Sequence, residues 1–241
     1  MSVSVLVLGC VIGMRHALDA DHVAAVASLA TRSRSISETV RQGAFWGLGH
    51  TATLFISGTI VLTLDAAIPE RLAQGLELLV GLMLIGLGVD VLRRMIKDRV
   101  HFHTHRHDNG TIHFHAHSHA GEKGHDLARH NHAHSRDFPV RALFVGLMHG
   151  MAGSAALILL SLQAVDTPAQ GLLYIALFGV GSILGMMVLS AIIAIPMRFA
   201  AAAQGLTRMH IGLQAAIGLV TLAMGTMLAY QIGVTDGFFA Q

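Results

Sequence analysis

One apolar stretch near the N-terminus carries five ionisable side chains in eight residues: Arg15, His16, Asp19, Asp21 and His22. At membrane depth such groups are costly, and they face a polar interior where they bind, pair or relay protons. Imidazole with carboxylate suits nickel, cobalt, zinc or copper far better than magnesium or calcium. On a straight helix turning about 100° per residue, His16, Asp19 and His22 share one arc and Asp21 points away from His16. Arg15 then stands one turn before Asp19, at the spacing of an i,i+4 ion pair. Gathering His16, Asp21 and His22 on one centre requires the backbone to unwind over Ala17–Ala20, which is tolerated at this depth where it lines a cavity. His50 and His149 sit in other apolar segments at comparable depth. Each reads either as a further ligand or as a helix–helix hydrogen-bond partner. His210, near a segment end, reads as interfacial.

A second concentration of imidazole lies in the middle of the chain. Between Asp98 and Asp137 fall 12 of the 17 histidines. Two near-copies, His101, His103, His105, His107 and His113, His115, His117, His119, have period-two spacing, which an extended backbone places on one face and a helix scatters. Asp108-Asn109-Gly110 is a turn signal. A three-residue turn pairs His107 with His113 and aligns all eight. A two-residue turn puts the sets on opposite faces. Without metal the expectation is disorder, and with it a transition-metal buffer.

These residues need a membrane scaffold. Charged residues are 12% of the 241, apolar residues 53%, and mean hydropathy is +0.60. That excludes a soluble globular protein, which carries about 25% charged residues. The single Cys10 excludes an internal disulfide framework. A span takes about 20 apolar residues. Val3–Ala30, Gln42–Leu64, Leu72–Val89, Ala142–Val165, Gly171–Ile195 and Met209–Thr235 qualify, giving an all-α membrane protein of six transmembrane helices. Val3–Met14 is preceded by no basic region and reads as the first half of helix one rather than a signal peptide.

Lys and Arg set the orientation. Fourteen lie in three alternate loops, Arg71 alone lies on the other side, and Arg15 lies inside helix one. Both termini are therefore expected outside and the histidine loop in the cytoplasm. The basic excess is topological, so nucleic acid drops out as a partner.

The halves also align. Gly13–His16 sits over Gly146–His149 at an offset of 133, and Gly47–His50 over Gly179–Ser182 at 132. Leu76, Gly81 and Gly88 fall on Leu213, Gly218 and Gly225 at 137, with Glu77 over Gln214. Three helices per half is odd, so the second copy enters from the opposite side. That is an inverted repeat, a transporter plan with its site near the midplane. The domain reading is a first three-helix repeat over residues 1–97, the loop over 98–137 and a second repeat over 138–241.

Arg15-His16-Ala17-Leu18-Asp19-Ala20-Asp21-His22 carries the His-x4-Asp-His signature and resembles the nickel/cobalt transporter family; Leu48-Gly49-His50-Thr51 looks like its second motif. The chain is most similar to a short branch linked to urease accessory functions. The resemblance implies uptake of Ni2+ or Co2+ across the plasma membrane, with His16, Asp21 and His22 as essential ligands, and no prosthetic group. His50 and His149 are the candidate additional ligands, and Arg15 and Asp19 the structural or relay pair. A cytoplasmic metal chaperone is the partner a histidine loop would serve. Two rival readings remain at this level. An efflux permease differs only in direction. An intramembrane metal-dependent hydrolase would use the same His/Asp set to activate water, but the chain lacks HExxH and a Gly-x-Ser-Gly nucleophile motif.

Overall fold

The computed structural model describes residues 3–33, 35–64, 69–97, 101–106, 112–117, 139–152, 167–202 and 207–239. Its helices are α1 (Val3–His16), α2 (Ala20–Ala30), α3 (Ile36–Leu64), α4 (Glu70–Lys97), α5 (Val140–Ala152), α6 (Pro168–Ala202) and α7 (Thr207–Tyr230). Gln231–Thr235 continues α7 as a π-helical turn. Four spans are each long and apolar enough to cross a membrane: Ile36–Thr63, Glu70–Lys97, Pro168–Phe199 and Met209–Thr235. Large apolar side chains such as Ile96, Phe199 and Met227 are exposed along them, as lipid-facing residues are. The protein is a multi-pass membrane protein.

The first expected span is two short helices rather than one. α1 and α2, of 14 and 11 residues, are each too short to cross alone. Between them Leu18 N–H donates to the Arg15 carbonyl (2.9 Å) and Asp19 N–H to that of His16 (3.1 Å), a tightened turn that ends α1. Asp19 is then extended (φ −60°, ψ 144°) at the N-cap of α2, a position aspartate favours. Residues 153–166 of the expected fourth span lie outside the described residues, so α5 accounts for its first part only.

Two strands, β1 (His101–Arg106) and β2 (Ile112–His117), pair antiparallel. Over these twelve residues a hairpin stands where disorder was expected, in neither of the two registers that the turn signal left open. His105, not His107, stands opposite His113, with His103 opposite His115 and His101 opposite His117. The observed register sets Phe102 opposite Ala116 and Thr104 opposite Phe114. His107 and His119 lie outside the described residues.

The helices of the two halves interleave. The most extensive interfaces are α3 with α6, α4 with α7, α3 with α5 and α1 with α6. Exchanging α1 with α5, α3 with α6 and α4 with α7 maps these four onto themselves. The close approaches obey the same exchange. A methyl group at Gly13 would run into the Phe178 carbonyl, and one at Gly146 into that of Trp46. Gly181 meets the Cys10 carbonyl as Gly49 meets that of Leu143. Gly88 abuts the Gly218 carbonyl and the Leu222 nitrogen, while Gly225 abuts the Gly81 carbonyl and the Ile85 nitrogen. Such backbone contacts suit membrane helices, where association depends on packing. Polar contacts reinforce them: Ser28 and Thr221 hydroxyls are 2.9 Å apart between α2 and α7, and Thr53 donates to the Leu147 carbonyl (3.0 Å).

At the end of α2, the Asp90 carboxylate accepts from Arg32 (2.5 Å) and Arg141 (3.2 Å) and lies 3.4 Å from Arg94, tying α2, α4 and α5 together. Asp90→Asn leaves three guanidiniums crowded without their shared counter-charge. The expected loss is about 1–2 kcal/mol, held down by partial exposure, and thermal melting of the detergent-solubilised protein measures it.

Candidate metal centre

The α1–α2 break turns Asp21 toward the residues that a continuous helix would have kept it from. His16 closes α1, Asp21 and His22 open α2, His50 is mid-α3 and His149 is near the end of α5. His22, His50 and His149 are fully buried, and His16 and Asp21 partly so. Ring centroids of His22 lie 4.5 Å from His16, 5.2 Å from His50 and 4.2 Å from His149. Two groups have ligand atoms within 4.8 Å of one another: His16, His22 and His50, and Asp21, His22 and His149. The five residues singled out as membrane ligands thus stand together, with His22 shared.

Hydrogen bonding decides which imidazole nitrogens are free. A carboxylate only accepts, so a ring nitrogen bonded to it carries the proton and the other bears a lone pair. His16 Nδ1 is 2.7 Å from Asp19 Oδ2, which leaves Nε2 bare. His22 Nδ1 is 3.0 Å from Asp21 Oδ1, so its Nε2 is bare, buried and without a partner among the described residues. His149 Nε2 is 2.8 Å from Asp21 Oδ2, leaving Nδ1 bare, buried and likewise without a partner. His50 brings Nε2 to 3.3 Å from His16 Nε2, and its Nδ1 is also without a partner. Carboxylate-oriented histidines presenting a lone pair are the pattern of metal-ligating imidazole. Bonds of 2.0–2.1 Å in a tetrahedral site hold donors about 3.4 Å apart, close to the His16–His50 separation.

The expected Arg15–Asp19 pair is not found among the described contacts. The break removes residue 19 from i,i+4 geometry, and its carboxylate goes to His16 instead. Arg15 remains exposed. Three neighbours escaped the sequence reading. Trp46 stacks near His22 (5.6 Å, 21° between planes) and stands edge-on to His149 (5.7 Å). Phe178 lies 5.3 Å from His16. Ser182, on the same face of α6 as Phe178, is fully buried. The signal for Trp46 was present: it precedes His50 by four residues, one turn along the same face.

Over 238 residues, 98% of its length, the chain is 34% identical to the protein named urease accessory protein UreH of Bacillus sp. (strain TB-90), and the match spans 95% of that relative. The chain belongs to the nickel/cobalt transporter family. Within the family its likeness is to the urease-accessory branch. No family model matches it, and no solved structure matches it. The family's His-x4-Asp-His signature falls on His16, Asp21 and His22, which the α1–α2 break brings into contact with His50 and His149.

Proposed function

We propose that this nickel/cobalt transporter family member is a secondary transporter that takes up divalent nickel or cobalt across the plasma membrane, through a midplane centre of His16, Asp21, His22, His50 and His149. One observation carries the reading: carboxylates fix three of the four buried or half-buried imidazoles so that each keeps an unshared lone pair in one cluster. A hydrophobic ion path has no use for that arrangement, whereas a partly dehydrated transition-metal ion needs it. The chain carries no nucleotide-binding loop, so ATP could act only through a separate subunit. The test is radiometal uptake into proteoliposomes, with competing metals and with collapse of the proton gradient. Absence of nickel and cobalt flux overturns the assignment, and flux in the outward direction alone makes the protein an efflux permease.

The architecture that goes with it is six spans in two inverted three-helix repeats, residues 1–97 and 138–241, around the loop 98–137. The reciprocal contacts of α1, α3 and α4 with α6, α5 and α7 support it, because they hold at the offsets of the two halves' alignment. Both termini are outside and the histidine loop is cytoplasmic, as the distribution of Lys and Arg requires. An impermeant thiol reagent applied from outside should label a cysteine placed near Gln241 and spare one at Ser118.

The loop serves as a cytoplasmic buffer that passes metal to a chaperone, with His101, His103, His105, His107, His113, His115, His117 and His119 as its donors. A tethered buffer raises local metal concentration without forming the path. Deleting residues 101–134 should therefore leave measurable uptake while changing its concentration dependence. Complete loss of flux at normal membrane abundance would place the loop in the path.

A further inference from the structure

The internal exchange of halves assigns counterparts to His16, Trp46 and His50. His16 corresponds to His149 at the offset of 133, and Trp46 to Phe178 at 132. Both pairs line the cluster, with Trp46 beside His22 and His149 and Phe178 beside His16. At the same offset of 132, the counterpart of His50 is Ser182.

Ser182 stands on the stretch of α6 that packs against the end of α1. Its backbone nitrogen lies against Gly13 in α1, and Gly185, three residues on, lies against Ala17 at the α1–α2 break. Phe178, one turn earlier on the same face of α6, reaches the His16 ring. The side chain is fully buried, and its hydroxyl has no hydrogen-bond partner among the described residues. Serine hydroxyls in membrane helices ordinarily bond back to a carbonyl one turn earlier, as Thr53, Thr221 and Thr226 do here. A buried hydroxyl left without any bond is a cost that calls for an explanation. Ser190, further along α6, is also unpartnered, but its hydroxyl lies against Gly43, away from any candidate ligand.

We propose that Ser182 belongs to the metal centre as the second half's equivalent of His50, its hydroxyl holding a water ligand retained by the bound divalent cation. The proposal rests on the metal-transport reading above. A neutral hydroxyl is a weak direct ligand for nickel or cobalt beside several imidazoles. It is well suited to a metal-bound water, to which it presents an acceptor lone pair. Partial hydration is also what a transported ion requires, since a fully protein-ligated ion dissociates too slowly to move on. Ser182 thereby becomes a specificity determinant, favouring ions that keep water in their shell over ions that take four protein ligands.

The experiment compares Ser182→Ala, Ser182→Thr and Ser182→Val in proteoliposomes, with nickel as the probe. Ser182→Ala should raise KM for nickel by about tenfold, the lower end of losses for a group supporting a metal's ligands. The maximal rate and membrane abundance should stay near those of the parent. The nickel-induced rise in Tm of the purified protein should shrink. The metal-free Tm should stay the same or rise, because an unsatisfied hydroxyl has been removed. Thr and Val have nearly the same shape, so Thr retaining nickel affinity where Val loses it isolates the hydroxyl, even if alanine fails to reach the membrane. Equal nickel affinity for Ser182→Thr and Ser182→Val, or parental KM in Ser182→Ala, overturns the proposal. His22→Ala, run in parallel, separates the two levels. If it abolishes uptake while the Ser182 variants are unaffected, only this proposal falls. If it too is without effect, the reading of the whole centre falls.

Discussion

His16→Ala, Asp21→Asn and His22→Ala are each expected to abolish nickel or cobalt uptake while the protein reaches the membrane at normal levels. The three residues stand together across the α1–α2 break, joined through His22. His22 belongs to both ligand groups, and Asp21 bonds to His22 and His149 through its two oxygens. Removing His22 takes a donor from every grouping. Asp21→Asn replaces an acceptor-only carboxylate by an amide whose nitrogen donates, so at least one of the two imidazoles must turn over or lose its partner. Loss of a second-sphere partner alone costs 10- to 100-fold in metal affinity, and loss of a ligand should exceed about 100-fold. The double replacements should be no worse than the singles, because an interaction already lost cannot be lost twice. Radiometal uptake, normalised to membrane abundance, measures all of this. Near-parental uptake by both His16→Ala and His22→Ala would refute the assignment.

Much of this centre was legible in the sequence because membrane depth makes every ionisable group conspicuous. His16, Asp21, His22, His50 and His149 stand out against apolar surroundings, and the helical wheel demanded a break near Ala17–Ala20, where α1 gives way to α2 after Ala17–Asp19. The partner of Asp19 was not legible. The Arg15 pairing assumed a continuous helix, and the same break that unites the ligands redirects that carboxylate to His16. Phe178 and Ser182 were hidden for another reason. They come from α6, more than 150 residues away, and carry neither charge nor a ligating ring, so only the packing of α1 on α6 brings them forward. The hairpin register was not legible either, because the turn signal at Asp108-Asn109-Gly110 left two registers open and the observed one is neither. Span positions followed from hydropathy for α3, α4, α6 and α7, because lipid permits little else than a hydrogen-bonded helix, although the first three run past their expected ends.

His50→Ala should prove as severe as His16→Ala, a larger effect than its lone position in a glycine-rich segment implies. From sequence alone His50 reads equally well as a packing partner, for which a partial defect would follow. His50 has its Nδ1 without a partner among the described residues, and its Nε2, 3.3 Å away, bonds only to the ring nitrogen of His16, itself a candidate ligand. The Asp19 contact leaves His16 Nε2 without a proton, so a cation between the two rings meets a lone pair from His16 at once, and one from His50 as soon as its proton moves to Nδ1. His149 has a second role, because its Nε2 donates to Asp21 Oδ2 and so orients that carboxylate. His149→Ala should cost 10- to 100-fold in metal affinity, as loss of a group that orients a ligand does. Asp19→Asn should fall in the same range at normal abundance, because Asp19 orients His16 and closes no salt bridge with Arg15. Nickel titration of the purified variants gives each affinity directly. The ranking to be met is His50 with His16, then His149 with Asp19. A His50→Ala variant that binds and carries nickel within about threefold of the parent would return His50 to the helix interface and leave the centre to α1, α2 and α5.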